Sequence, residues 1–376
     1  MNSLDSAFRS LFETNMGIRP GERVLVFSDR IRPDEQLSDS DRDRRTRLNE
    51  TAAQAAEFAR KAYGQGEFID FPATAASGVE PPQMLWELTF GRDAMATLQR
   101  EGILDDLLDK CADSGQVERA REIVISHATA LPAIIVALAN NSASHTNYRK
   151  LACSGGTRFA SLPHFDPAMF HSSMTVDWQA LADRTARLVT AVNRAEWVNV
   201  ECPNGTAMHI CKRGRPAGGD DGLLTAAGSF GNLPAGEAYL APLEGESHGI
   251  MVIEWGPTAQ LSTPLTLTIA QGKVLRIDGD DPLRQRLEEK FAENPNCRNL
   301  AELGIGTNDK ASRPDNVLEA EKILGTIHLA LGDNTGFGGM TAAPFHEDYV
   351  FYQPTVTLVM ADGSEEVILD NGVMQL

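Results

Sequence analysis

The chain has 376 residues, of which 42% are hydrophobic and 23% charged. This composition is typical of a globular protein of one large or two ordinary domains, and it excludes a disordered chain or a coiled coil. The 52 acidic residues outnumber the 34 basic ones, giving a formal net charge of −18. A surface this negative repels nucleic-acid phosphates and anionic lipid headgroups, so we expect neither nucleic acid nor a membrane as a partner.

The N-terminal segment and the cysteines favour a cytoplasmic protein. Residues 1–5 contain no basic segment followed by an apolar stretch, as a signal peptide would. The longest apolar run, residues 131–139, is too short to span a bilayer. The five cysteines are scattered and form no Cys-x-x-Cys pair, which argues against a disulfide framework and against a thiolate zinc site.

The first half of the chain alternates short apolar runs with helical patterns, which is typical of an open α/β domain. Buried parallel strands are predicted at residues 24–27, 68–70 and 123–125. Helices are predicted over residues 47–63, around 84–88 and over 177–192. The last of these helices closes the domain, so we predict an α/β domain over residues 1–195.

From residue 196 to residue 376 the chain reads as short strands broken by glycine and proline. Hairpins are predicted at residues 270–273 and 360–363, and one amphipathic helix at 282–293. The predicted fold class is therefore α/β, with an N-terminal open α/β domain followed by a mostly β, α+β domain.

Four segments of this second domain place ionisable side chains among small or apolar neighbours. Alternation along a strand puts Glu237 and Tyr239 on one face, and Glu302 on one face with Gly304 and Gly306. The missing side chains of these glycines predict room for a ligand. The same alternation leaves His328 alone on the outer face of a third strand. In a fourth segment it puts His346 and Asp348 on one face.

Two glutamates, two histidines and one aspartate form an oxygen-rich set suited to zinc, manganese or cobalt. Five ligands exceed the need of one tetrahedral ion, whereas two ions that share a carboxylate would use them all and would activate water near neutral pH. Each residue alone is more often structural, and a charged pocket without metal is the alternative.

These segments resemble the M29 metallo-aminopeptidases, also called the aminopeptidase T family. The resemblance runs from about residue 231 to 358, through Gly-Asn-Leu-Pro-Ala-Gly-Glu, Ala-Glu-Leu-Gly-Ile-Gly-Thr-Asn, Ile-Leu-Gly-Thr-Ile-His-Leu-Ala-Leu-Gly and Pro-Phe-His-Glu-Asp. It implies a dinuclear zinc or cobalt centre that activates water for attack on the first peptide bond, and a homodimer. The implied ligands are Glu237, Glu302, His328, His346 and Asp348.

The chain departs from the family at two points. His346 follows His328 by 18 positions, a shorter spacing than in the peptidases, so a loop at their substrate site is shortened. The family's catalytic tyrosine after the first ligand histidine is missing, because residues 332–339 contain none. Tyr349 or Tyr352 could take over its role, with packed aromatic side chains as the alternative, and Asp333 and Asn334 are candidates for binding the substrate amine.

The leading hypothesis is a metal-dependent aminopeptidase acting on short peptides or another small molecule, with Glu302 as general base. The second follows from a more distant resemblance to 2,5-dihydroxypyridine dioxygenase, a ring-cleaving enzyme that uses one iron(II). That enzyme has a histidine at the position of Glu302 and an apolar residue at that of His328, although His328, His346 and Asp348 could form a facial triad here. The third hypothesis is a degenerate homologue without turnover.

Overall fold

The computed structural model of the protein describes residues 4–257 and 259–376. The α-helices are α1 (Asp5–Arg9), α2 (Asp39–Tyr63), α3 (Gln83–Arg100), α4 (Leu104–Leu108), α5 (Ser114–Ser126), α6 (Asn147–Ser154), α7 (Trp178–Val192), α8 (Pro282–Glu293) and α9 (Val317–Ala320). Within the described ranges, no helix combines the length and the apolar character needed to cross a membrane.

The β-strands follow the same chain numbering. They are β1 (Val24–Arg30), β2 (Glu67–Pro72), β3 (Ile134–Ala137), β4 (Arg158–Ser161), β5 (Ala195–Glu201), β6 (Ala207–Cys211), β7 (Gly218–Asp220), β8 (Phe230–Asn232), β9 (Glu237–Leu240), β10 (His248–Trp255), β11 (Gln260–Ala270), β12 (Lys273–Asp278), β13 (Leu300–Gly306), β14 (Ile327–Gly332), β15 (His346–Phe351), β16 (Thr355–Met360), β17 (Glu365–Asp370) and β18 (Val373–Met374). Helices and strands together confirm the predicted mixed fold.

The first unit, which extends to Thr175 and includes Gly222–Pro234, is built on a parallel sheet. Its strand order is β2-β1-β3-β4-β8. The apolar residues 24–27 of β1 are buried on both faces, as expected for a parallel sheet between helices. The strand predicted at residues 123–125 is wrong, because these residues lie in helix α5, where Ile123 and Val124 are buried and Ile125 is exposed.

The second unit comprises Val176–Asp221 and Ala235–Leu376. Helix α7 contacts strands β7 and β9 and therefore belongs to this unit, whereas the sequence places the boundary after it, at residue 195. The difference arises because the helical pattern shows which face of α7 is apolar but not which sheet that face packs against.

Two antiparallel sheets form most of the second unit. The larger has the order β12-β11-β10-β6-β5-β16-β17-β18, and the smaller has the order β15-β14-β13-β9-β7. The predicted hairpins at 270–273 and 360–363 connect β11 to β12 and β16 to β17, and α8 spans the predicted residues. Apolar side chains of both sheets share one buried core, which leaves the other face of the smaller sheet available for a site.

Candidate metal centre

Four neighbouring strands of the smaller sheet carry all five predicted ligands on one face. In the register, Gly306 of β13 pairs with Glu237 of β9, while Glu302 pairs with Ala330, which pairs in turn with Asp348. Alternate strand residues share a face, and apolar residues between them, such as Leu303 and Leu329, point into the core. We call the five side chains the carboxylate–histidine cluster: Glu237, Glu302, His328, His346 and Asp348.

Each imidazole of this cluster lies between two carboxylates. The Nε2 atom of His328 is 3.3 Å from Oε2 of Glu237 and 3.6 Å from Oε1 of Glu302. The Nε2 atom of His346 is 3.4 Å from Oε2 of Glu302 and 3.5 Å from Oδ1 of Asp348. Two groups of three potential ligands result, Glu237 with Glu302 and His328, and Glu302 with His346 and Asp348. Glu302 belongs to both groups and directs one oxygen towards each.

The spacing of these atoms fits metal coordination. The N···O distances of 3.3–3.6 Å exceed those of ordinary N–H···O hydrogen bonds. Two ligand atoms about 2.0–2.2 Å from a tetrahedral ion would lie roughly 3.4 Å apart. Oε2 of Glu237 and Oδ1 of Asp348 are buried and make no hydrogen bond within the described part of the chain. Such orphaned buried oxygens cost free energy unless a cation satisfies them.

The charges of the cluster also favour a cation. Burial lowers the pKa of His328, but the carboxylates around it raise that pKa to about 9. The pKa of His346 lies well above its ordinary value because the nearby carboxylates outweigh burial in the same way. Burial raises the pKa of Glu302, and the two imidazoles more than reverse this effect, so the carboxylate stays ionised. The protons on the imidazoles therefore neutralise the negative charge of the carboxylates, which a bound divalent ion would neutralise in their place.

The loop before β15 orients one of the imidazoles. Nδ1 of His346 donates a hydrogen bond to the backbone carbonyl of Asp333 at 2.7 Å, which leaves Nε2 as the free ligand atom towards the cluster. The side chain of Asp333 accepts from the backbone N–H of Ala343, and that of Asn334 accepts from the N–H of Thr341. The two side chains predicted to bind substrate thus hold the loop together.

The space predicted over the two glycines of β13 is filled by the protein itself, so this prediction is wrong. A Cβ added to Gly304 would lie 2.0 Å from Cε1 of His328, and one added to Gly306 would lie 2.1 Å from the carbonyl oxygen of Ile323. Glycine at position 304 therefore allows the imidazole of His328 to lie across β13. At position 306 it allows the segment before β14 to approach closely.

The structure does not bring the two candidate tyrosines to the cluster. Tyr349 alternates with Asp348 along β15, so its buried ring faces the core, and its hydroxyl donates to Glu347 at 2.5 Å. Tyr352 packs near Trp255 with ring centroids 6.5 Å apart, and its hydroxyl is buried. Neither hydroxyl can therefore reach a substrate on the outer face of the sheet.

The sequence analysis does not identify two buried charged side chains beside the cluster, Lys322 and Glu321. Nζ of Lys322 donates to Oε1 of Glu237 at 2.6 Å and lies 2.9 Å from Oε1 of Glu321, and all three residues are buried. Glu321 forms a third group of potential ligands with His328 and Asp348, and burial raises the pKa of Glu321 to about 8. In the sequence this Glu-Lys pair looks like an ordinary exposed turn, so no local signal identifies it.

Tyr239 extends the same face beyond Glu237. Strand pairing puts it opposite Gly304 on one side and Gly218 on the other. Burial raises the pKa of Tyr239 to about 12, with a further contribution from nearby carboxylates. The sequence analysis places this residue on the outer face, but it assigns no role to the hydroxyl.

Comparisons with known proteins agree on the fold. The sequence model of the 2,5-dihydroxypyridine 5,6-dioxygenase family, NicX, matches residues 113–375. The structure of 2,5-dihydroxypyridine dioxygenase from Pseudomonas putida KT2440 matches with a TM-score of 0.68 and 17% identity, over 99% of this chain and 96% of that one. Wild-type AmpT from Thermus thermophilus matches with a TM-score of 0.61 and 13% identity, over 99% of both chains. No curated protein sequence matches.

Proposed function

The chain belongs to the 2,5-dihydroxypyridine 5,6-dioxygenase (NicX) family, whose fold the M29 aminopeptidase AmpT shares, and within this fold we propose that it is a metal-dependent aminopeptidase. The observation that carries the proposal is the position of Glu302 between two groups of three potential ligands. A carboxylate with one oxygen towards each group is the arrangement that a pair of ions requires. The peptide substrate follows from the similarity to AmpT.

The residues present would hold two divalent ions, each bound by three side chains, with Glu302 shared between them. Glu237, Glu302 and His328 would bind one, and Glu302, His346 and Asp348 the other. Such ions supply polarisation of the substrate carbonyl and a water of lowered pKa. Zinc, cobalt and manganese all suit this donor set.

Glu302 is the residue that we assign to proton transfer. Its carboxylate is ionised and lies on the outer face of the sheet, between the two imidazoles. It would accept a proton as the water oxygen bonds to the carbonyl carbon, and it would return that proton to the leaving amine as the C–N bond breaks.

The ligand composition favours hydrolysis over iron-dependent ring cleavage. Each group of potential ligands in the described ranges contains one histidine and at least one carboxylate, and none contains both His328 and His346. A mononuclear iron(II) oxygenase typically uses two histidines and one carboxylate on the same ion. The cluster therefore lacks a ready-made facial triad of that type.

The second candidate is a dioxygenase that cleaves an aromatic ring. The family membership favours it, because the matched residues 113–375 include the entire carboxylate–histidine cluster. In this case His328, His346 and Asp348 would bind one iron(II), and the two imidazoles would have to approach each other, because no group of potential ligands in the described ranges contains both.

One comparison separates the two candidates. Protein stripped with a chelator and reloaded with zinc, cobalt or manganese would be incubated with short peptides that have a free or an acetylated N-terminus. We expect release of the first residue from the free peptides only, and none from E302Q. Iron(II)-loaded protein that instead consumes oxygen with 2,5-dihydroxypyridine, while the other metals give no peptide cleavage, would contradict the proposal.

A further inference from the structure

A buried ammonium group lies beside the carboxylate–histidine cluster. The side chain of Lys322 is only 2% exposed, and its Nζ lies 2.6 Å from Oε1 of Glu237 and 2.9 Å from Oε1 of Glu321. Burying a charged pair costs desolvation free energy, so apolar residues could stabilise this region equally well. An ammonium also repels any divalent ion nearby, which weakens metal binding. The position of Lys322 therefore points to a role other than stability.

The backbone holds Lys322 against the strand that carries Glu302. The segment before β14 runs beside the end of β13, where the N–H of Asn308 donates to the carbonyl of Lys322 at 2.8 Å. The N–H of Gly306 donates to the carbonyl of Thr326 at 3.0 Å, and the missing side chain of Gly306 gives the segment room to approach. Hydrogen bonds on both sides of Lys322 thus fix its backbone relative to the cluster.

The two oxygens of Glu237 have different surroundings because of this ammonium. Oε1 accepts the hydrogen bond from Lys322. Oε2 makes no hydrogen bond within the described ranges and lies 3.3 Å from Nε2 of His328. A carboxylate that is free at both oxygens can bind one ion through both of them. Lys322 therefore leaves Glu237 a single oxygen for the ion that it would share with Glu302 and His328.

The same ammonium engages a carboxylate that could compete for the ions. Glu321 forms a third group of potential ligands with His328 and Asp348, and each of these two residues belongs to one of the two metal groups assigned above. As a ligand, Glu321 would take up a coordination position that a catalytic metal site keeps for water or substrate. Its Oε1 faces the ammonium instead, so Lys322 holds one oxygen of Glu321 as well.

We propose that Lys322 is a positioning residue that keeps coordination positions of the two ions open, because it holds one oxygen of Glu237 and one of Glu321. It acts through these carboxylates and touches neither the substrate nor the ions. The inference rests on the two-ion site of the proposed function, but it does not depend on a peptide as the substrate.

The first test compares wild-type protein with K322M and with K290M, which removes an exposed lysine paired with Glu293. Cobalt(II) bound in the cluster gives visible absorption bands that weaken as more ligand atoms surround the ion. K322M frees the oxygens of both carboxylates, so we expect weaker bands per bound ion than in the wild type and K290M. Zinc, titrated against a competing chelator, should bind K322M at least as tightly as the wild type, because the repulsive ammonium is gone.

These results separate positioning from a structural role. A lysine that merely supports the fold would, when replaced, loosen Glu237 and weaken zinc binding. Peptide hydrolysis adds a third measurement, and we expect kcat of K322M to fall about tenfold or more at full metal occupancy, because fewer positions remain for water and substrate. Circular dichroism of the metal-loaded variants would verify the fold.

A second variant, E321Q, tests the inference in a protein that keeps the ammonium on Glu237. It should bind two ions and show wild-type cobalt bands. Loss of an ion from E321Q would make Glu321 a ligand and overturn the inference, as would wild-type cobalt bands or weakened zinc binding in K322M. A wild type that binds two ions but cleaves no peptide would contradict the aminopeptidase proposal alone, because the cobalt and zinc measurements judge Lys322 without turnover.

Discussion

Metal binding to the carboxylate–histidine cluster should release protons and strengthen steeply with pH. Without metal, the pKa of His328 is raised to about 9 and that of His346 lies well above its ordinary value, because carboxylates surround both imidazoles. Both rings are therefore protonated near pH 7, and a metal ion must displace both protons to reach Nε2.

The magnitude follows from these pKa values. At pH 7, removing the proton from His328 costs the equivalent of about two pH units, or about 3 kcal/mol, which lowers the apparent affinity roughly a hundredfold. When both ions bind, displacement of the two protons makes the overall binding constant rise by about a hundredfold for each unit of pH, as long as the pH lies below the pKa of both imidazoles.

Titration calorimetry of chelator-treated protein with zinc, in buffers of different ionisation enthalpy, measures the protons released. We expect about two per fully loaded chain, and the control H127Q, altered in the first unit, should behave as wild type. A binding constant that does not change with pH, or binding without proton release, would refute the reasoning.

The same protons predict opposite effects of pH on the two forms of the protein. A histidine whose pKa is raised on folding stabilises the fold fully below its unfolded pKa of about 6.5, and this contribution is lost as pH rises through the folded pKa. The metal-free protein should therefore lose stability as the pH rises from 7 through about 9, whereas the metal-loaded protein should not. Urea denaturation with and without chelator measures this difference, and parallel curves would contradict it.

Three substitutions test individual parts of the site. E302Q removes a charged ligand from both groups at once, so elemental analysis should find one ion per chain or fewer; two ions would contradict the shared role. G304A places a Cβ 2.0 Å from the His328 ring, so metal content should fall while circular dichroism stays unchanged; full metal content would contradict the contact. K322M leaves Glu237 buried without its ammonium partner, so the free energy of unfolding of the metal-free protein, measured with urea, should fall by about 3–5 kcal/mol. The metal-loaded protein should lose less, and equal losses in the two forms would contradict the argument.

Each of these substitutions has a matched control at a site of similar chemistry. Lys290 and Glu293 form an exposed ion pair at the end of α8, so K290M and E293Q should change stability by less than about 1 kcal/mol and should keep both ions. Gly115 lies in the first turn of α5, where an added Cβ meets only the carboxylate of Asp113 at 3.3 Å, so G115A should retain its metal.

Strand alternation accounts for what the sequence could predict of the site. Because every second residue of a strand shares a face, Glu237, Glu302 and His328 could be assigned to outer faces without knowledge of the pairing. Which strands are neighbours depends on long-range pairing, which no local pattern reveals. The resemblance to a metallopeptidase family provides that information for the ligands, but not for Lys322.

The failures of the sequence analysis have equally specific causes. Residues 123–125 are as apolar as a buried strand, and the capping box of Asp113 and Gln116, which identifies a helix start, was the overlooked signal. Lys322 offers no such signal, because its burial depends on Glu237, 85 positions away in the sequence.

The most direct test of the account is elemental analysis of the purified, untagged protein, which gives the identity and number of bound ions per chain. The central claim is that Glu302 joins two metal sites, and it predicts close to two zinc, cobalt or manganese ions per chain. A single iron per chain would contradict it and would favour the ring-cleaving dioxygenase.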